Sequence, residues 1–259
     1  VSETHKEKEG KPLLWRGNYQ VQSYDVDLKK EQTLMSLCNY FQESAWRHAE
    51  RCDLGYMSLA EKGQFWVLSR LLVEIDRYPR WQDHISIETW SKGADGLFAV
   101  RDFIVYDGSG TGIIRATSGW LIVDTAKRRP QRLHDFSTVM PFMRDRHALT
   151  HRLQKLPAAT DPEIQSAFSV RFSDLDLNNH VNSTKYIEWI IDSFPFAFLS
   201  VHTVKSFEIN FLAESLFGDE IEIHRGKNPQ KETTFLVDVK RKGDNREFCR
   251  AQLCFTRTD

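Results

Sequence analysis

The chain contains the same pattern twice. That internal repeat constrains its fold more than any other feature of its 259 residues. The first copy opens with a short alternating strand near Asn18–Tyr24 and continues into a helix expected over about Glu31–Arg51. Leu34, Leu37, Cys38, Phe41 and Ala45 recur there at helical spacing on one face. Four strand-like runs follow: FWVLSRLLVEID, HISIETWSK, LFAVRDFIVYD and GIIRATSGWLIVD. The turn DGSGTG makes a hairpin of the last two. The second copy keeps the order. QSAFSVRFSDLD is a strand, and NSTKYIEWIIDSFPFAFL is a helix with Tyr186, Trp189, Ile190 and Phe194 along one face. Pro195 is expected to distort or end that helix. VHTVKSFEINFLA, DEIEIHRGK, TTFLVDVKRK and EFCRAQLCFTR are strands again, with KGDN as the last hairpin turn.

The repeat has a definite register. Asp25-Val26-Asp27 aligns with Asp174-Leu175-Asp176, an offset of 149 (174 − 25). WQDHISIE aligns with FGDEIEIH, where Asp83 meets Asp219 at an offset of 136 (219 − 83). The shorter second offset fits a longer helix-to-strand connection in the first copy, around Asp53–Gly63. Each copy is a strand, a long helix and then a meander of about four strands, which is an α+β unit. An antiparallel sheet curved around one long helix is the hotdog arrangement, so the expected architecture is a tandem (double) hotdog. The boundaries read as an N-terminal domain 1–125, a linker 126–164 and a C-terminal domain 165–259. The linker carries Pro130, Pro141, Pro157 and Pro162 and lacks strong periodicity.

Composition excludes several classes. Hydrophobic residues make up 41% and aromatics 12%, ample for a packed core. A formal net charge of −1 gives no global attraction to nucleic acid or anionic membranes, and the runs Lys127–Arg129 and Lys240–Lys242 are short. No apolar run approaches the ~20 residues of a membrane span. The N-terminal stretch VSETHKEKEGKPLLWRG lacks the apolar core of a signal peptide. Cys38, Cys52, Cys249 and Cys254 have no metal-type spacing and read as reduced thiols, which points to the cytoplasm. His147 and His151 are four apart but lie in a basic stretch without a neighbouring Glu, so no metal site is expected.

The two copies differ at one turn. Lys29 and Glu31 of the first become Asn178 and His180 of the second, while both aspartates are shared. Shared aspartates fit turn and N-terminal capping roles. The unshared residues carry chemistry: an Asn amide donates hydrogen bonds, and a His titrates near neutral pH and can move a proton. A helix N-terminus beside them can polarise a carbonyl.

The stretch SDLDLNNHVNSTKYIEWIIDS, together with DRYPRWQDHISIETW and TLMSLCNYFQESAWRHAERCDLG in the same order, resembles the acyl-acyl-carrier-protein thioesterases of plants and bacteria. The resemblance spans about Tyr19 to Thr256. It implies a tandem hotdog whose N-terminal half houses much of the acyl chain and whose C-terminal half supplies catalysis. The family's Asp-x-Asn-x-His string falls on Asp176, Asn178 and His180, and its Glu falls on Glu214 in FEINFLAESLFGD. The Cys that follows this Glu in the family is Ser215 here, so a thiol nucleophile is not available at that position.

The implied reaction is hydrolysis of a fatty acyl thioester on acyl carrier protein. No cofactor is expected, since the phosphopantetheine arm belongs to the carrier. Glu214 or His180 would take a proton from water, and Asp176 would either orient the network or attack directly. Leu37, Phe41, Trp66, Phe98 and Trp120 are candidates to line the acyl slot. Lys127, Arg128, Arg129, Arg132, Arg144, Arg146, Arg152 and Lys155, opposed by Asp135 and Asp145, could steer an acidic carrier. An acyl-CoA thioesterase of the same fold and a non-catalytic acyl-binding protein are the competing readings. A tandem-hotdog hydratase lacks support, because its Asp-x-Asn-Pro-x-His string is absent. Monomer and homodimer both stay open.

Overall fold

The computed structural model describes residues 5–6, 10–133, 136–228 and 231–258. Residues 1–4 and 7–9 of the N-terminal stretch read above for a leader, and Asp135, lie outside them. The chain divides into two compact units, Val1–Leu153 and Gln154–Asp259.

The first unit comprises β1 (Leu14–Gln20), α1 (Leu34–Glu50), α2 (Tyr56–Ala60), β2 (Gln64–Ile75), β3 (His84–Asp95), β4 (Phe98–Tyr106) and β5 (Gly112–Asp124). Helix α1 starts three residues later than its periodicity suggests, because Thr33 caps it: Ser36 N donates to Thr33 Oγ1 at 3.1 Å. Leu34, Leu37, Cys38, Phe41 and Ala45 form its buried face. Phe41 meets Phe103 of β4 with ring centroids 4.7 Å apart, which docks the helix on the sheet.

The strands run β1-β3-β4-β5-β2, every neighbouring pair antiparallel. The meander therefore covers β3–β5 only, and β2 pairs with β5 on the far edge. A helix of 17 residues is about 25 Å long, while five strands about 4.8 Å apart span about 19 Å. Helix α1 is thus long enough to carry the chain from one edge of the sheet to the other.

The second unit comprises β6 (Glu163–Ser169), α3 (Ser183–Asp192), α4 (Phe196–Leu199), β7 (His202–Phe211), β8 (Glu220–Asn228), β9 (Lys231–Arg241) and β10 (Glu247–Arg257). Its sheet order, β6-β8-β9-β10-β7, is the first unit's order again. The helix read over 182–199 ends before Pro195, as that residue leads one to expect: α3 stops at Asp192, and Pro195 opens the separate turn α4. Phe194, Phe198, Phe235 and Phe255 close the far end in a set of edge-on and tilted rings.

The segment 126–164 is shared between the units and is pinned to each sheet by a buried aspartate. In the first unit Asp102 takes hydrogen bonds from Ala148 N at 2.8 Å and Thr117 Oγ1 at 2.7 Å. In the second, Ala159 N donates to both oxygens of Asp238 at 3.3 Å, and Leu156 N donates to Asn210 Oδ1 at 2.8 Å. Asp102 and Asp238 are related by the repeat offset of 136 (238 − 102). Burial raises the pKa of Asp102 despite Lys92 at 3.4 Å.

Among the candidate slot residues, Leu37 and Phe41 are buried under the first sheet. Trp66 and Trp120 pack against a cluster of Cys52, Leu54, Leu59, Ile122, Phe136 and Met140. Phe98 lies half-buried beneath the Arg70 guanidinium, 4.7 Å from its ring centre.

Candidate active site

The polar turn before each helix is built by backbone bonds to one aspartate. In the second unit, Asp176 Oδ1 accepts from Asn178 N at 2.8 Å and His180 N at 3.2 Å. Asp176 N donates to His180 O at 2.7 Å. In the first unit, Asp27 Oδ1 accepts from Lys29 N at 2.8 Å and Glu31 N at 3.2 Å, and Asp27 N donates to Glu31 O at 2.9 Å. Lys30 and Asn179 both take φ 62°, the left-handed conformation such turns need. The preceding aspartates also match: Gln22 N donates to Asp25 Oδ2 at 2.9 Å, and Arg171 N to Asp174 Oδ2 at 2.7 Å.

The loop that follows the second strand of each unit is duplicated as well. Gln32 N donates to Pro79 O at 2.8 Å, and Val181 N to Ser215 O at 3.1 Å. Arg80 N donates to Asp83 Oδ2 at 2.8 Å, and Leu216 N to Asp219 Oδ2 at 3.0 Å. These bonds join the turn to the loop in both units and bring His180 and Glu214 together across the join. His180 Nε2 lies 3.5 Å from Glu214 Oε2, with side chains 14% and 33% exposed. The first unit has Glu31 and Tyr78 at these two places, so only the second unit holds an acid–base pair.

Of the four residues singled out from the sequence, His180 and Glu214 meet. Asp176 has its Oδ1 committed to the turn's backbone. Asn178 is exposed at the tip. The helix N-terminus is largely spoken for by its own cap, since Thr184 N donates to Asn182 Oδ1 at 3.1 Å and Lys185 N to Asn182 O at 2.9 Å. Ser215 is fully buried, and its Oγ lies 2.6 Å from Tyr186 OH. Burial pushes the Tyr186 phenol well up from its usual range. The sequence reading placed Tyr186 on the apolar face and missed this contact. The available signal was that its repeat partner is Leu37, which has no hydroxyl.

Among the described residues, no group of three or more His, Cys, Asp or Glu side chains could hold a metal ion. His151 instead approaches Glu74 at 3.5 Å. No described helix is long and apolar enough to cross a membrane. Cys38, Cys52, Cys249 and Cys254 are unpaired thiols.

Two hotdog units in one chain, with only the second carrying a His–Glu pair on the shared turn, define an asymmetric double hotdog. Comparison with known proteins agrees. Family models match residues 12–138 as an acyl-ACP thioesterase N-terminal domain and 158–256 as an acyl-ACP thioesterase C-terminal domain. The chain belongs to the acyl-ACP thioesterase family. It is 29% identical over 217 residues, 78% of its length, to the Arabidopsis thaliana palmitoyl-acyl carrier protein thioesterase, and covers 52% of that protein. It is 30% identical over 216 residues, 78% of its length, to a Cinnamomum camphora dodecanoyl-[acyl-carrier-protein] hydrolase, and covers 56% of it. The chain thus spans about half the length of the curated relatives it matches. The crystal structure of a Bacteroides thetaiotaomicron acyl-ACP thioesterase superposes with a TM-score of 0.85 at 29% identity, covering 94% of this chain and 98% of that one. The Umbellularia californica 12:0-ACP thioesterase shares the fold, with a TM-score of 0.80 at 24% identity over 95% of this chain and 97% of that one.

Proposed function

We propose that the chain hydrolyses the thioester of a fatty acyl group carried on acyl carrier protein, releasing the free acid and ending chain elongation. The observation that carries the reading is the approach of His180 to Glu214 at 3.5 Å, present in only one of two otherwise matching turns. A water held between the pair and the carbonyl carbon loses its proton to Glu214 or His180 as its oxygen attacks. The C–S bond breaks, and the proton passes to the departing phosphopantetheine thiolate. Asn178, exposed at the turn tip, offers its amide to the developing oxyanion. Asp176 orients the turn that carries His180 in this reading, its Oδ1 held by two backbone N–H groups as in its counterpart Asp27.

The acyl chain lies in the first unit in this reading, and the substrate brings the only prosthetic group. The cytoplasmic setting suggested by unpaired cysteines belongs to the same proposal. The plant relatives are named as chloroplastic.

The test is single-turnover hydrolysis of a panel of acyl-carrier-protein thioesters in 18O water. His180→Ala and Glu214→Gln should each lower the rate by about 10²–10⁴-fold, with the label in the fatty acid and none in Asp176. Near-normal turnover by both variants would show that the site is elsewhere, and label in Asp176 would make it the nucleophile. The nearest competing reading is hydrolysis of acyl-CoA, and comparing kcat/KM on the two thioesters separates them.

A further inference from the structure

We propose that Tyr186 and Ser215 form a strut that positions Glu214 against His180. The strut deepens the functional reading above and rests on it for its catalytic consequence. Tyr186 OH accepts a hydrogen bond from Ser215 N at 3.2 Å and lies 2.6 Å from Ser215 Oγ. The bonded N–H belongs to the peptide that joins Glu214 to Ser215. On its other side, Ser215 O accepts from Val181 N at 3.1 Å, the N–H of the peptide that joins His180 to Val181. One buried residue therefore ties the backbone of both members of the pair, and Tyr186 anchors that residue to helix α3. Both strut residues are buried, Ser215 fully and Tyr186 at 3% exposure. A hydrogen-bonded phenol and hydroxyl in a dry site hold one geometry.

The repeat shows that the turn itself does not need the strut. At the matching positions the first unit has Leu37, which lacks the phenol, and Pro79, which has neither a hydroxyl nor a backbone N–H. Yet Gln32 N still donates to Pro79 O at 2.8 Å, and the same loop forms. The strut is added only where a His–Glu pair has to be held. Tyr186 also packs edge-on against Trp189 and Phe211, with centroids 5.2 and 5.8 Å away, so a phenyl ring would keep its place without the hydroxyl.

The experiment measures kcat and KM on acyl-carrier-protein thioesters for Tyr186→Phe, Ser215→Ala and the double variant, beside His180→Ala. It also records the His180 imidazole 15N signals of the wild type and Tyr186→Phe. The strut predicts a kcat loss of about 10–100-fold, the scale of a small misplacement at a reacting centre, with KM little changed. The double variant should be no slower than the slower single, because the two residues act as one device. The His180 signals should shift or broaden in Tyr186→Phe. Full kcat in Tyr186→Phe while His180→Ala is inactive overturns the strut, as do single-variant losses that multiply. If His180→Ala keeps wild-type turnover, the functional reading fails instead. The imidazole signals then decide the strut alone, and unchanged signals overturn it. Should Ser215→Ala fail to fold, Tyr186→Phe carries the test.

Discussion

At the residue scale, the same side chain does different work depending on what surrounds it. His180 is half-buried beside a carboxylate. His48, on α1, is fully buried and meets a cation instead: its Nδ1 is 2.9 Å from Arg101 Nη1, and its Nε2 is 2.9 Å from Pro12 O. A guanidinium only donates, so Nδ1 is the acceptor and Nε2 carries the hydrogen that goes to Pro12. Burial first, and Arg101 second, lower the His48 pKa from 6.5 to about 3. The unfolded chain therefore binds this proton near pH 6.5, and the folded chain binds it only near pH 3. Stability contributed by His48 is complete above pH 6.5 and is lost as pH falls toward 3. The loss amounts to a few kcal/mol at about 1.4 kcal/mol per unit. Unfolding free energies measured from pH 7 to 4 should fall more steeply for the wild type than for His48→Gln. Equal slopes would mean that His48 is not the group that titrates.

At the element scale, the two copies start their helices with different caps on the same frame. Thr33 serves α1, and Asn182 serves α3 through Thr184 N at 3.1 Å. Each cap also donates its own N–H to the first aspartate of the turn, Thr33 to Asp25 O at 2.8 Å and Asn182 to Asp174 O at 2.9 Å. Thr33→Ala and Asn182→Ala should each cost about 1 kcal/mol in urea unfolding. Only Asn182→Ala should also slow turnover, since Asn182 lies two residues from His180. Equal effects of both variants on kcat would argue against a site confined to the second unit. The strand order belongs to this scale too. Four strand-like runs were legible as strands, but their sequence does not say that β2 leaves its neighbour β3 and pairs with β5 on the far edge. The order is the same in the second unit, whose helix α3 has only 10 residues, so helix length does not set it.

At the scale of the whole molecule, the formal net charge of −1 hides a local excess of cations. Lys127, Arg128, Arg129, Arg132 and Arg152 are exposed on the first unit, whereas Arg146 is taken up by Glu88 at 2.5 Å and by the Trp90 ring. Exposed cations attract an acidic partner over about a Debye length. Raising salt should therefore lower kcat/KM on acyl-carrier protein more than on acyl-CoA, and parallel losses would remove the steering idea. The segment 126–164, read as a linker from its prolines, shows what a linear reading leaves out. Its attachments are the buried Asp102 and Asp238, which receive Ala148 N and Ala159 N from far along the chain. The sequence by itself determined the duplication, both helices, the turn and the asymmetry of Asn178 and His180, because these rest on periodicity, on capping and on residues near one another in the chain. Only the tertiary structure decided that His180 faces Glu214 and that Tyr186 braces Ser215. Those contacts join residues about 30 positions apart, and the distance between such residues is set by how the loop packs on the helix, which local sequence does not encode.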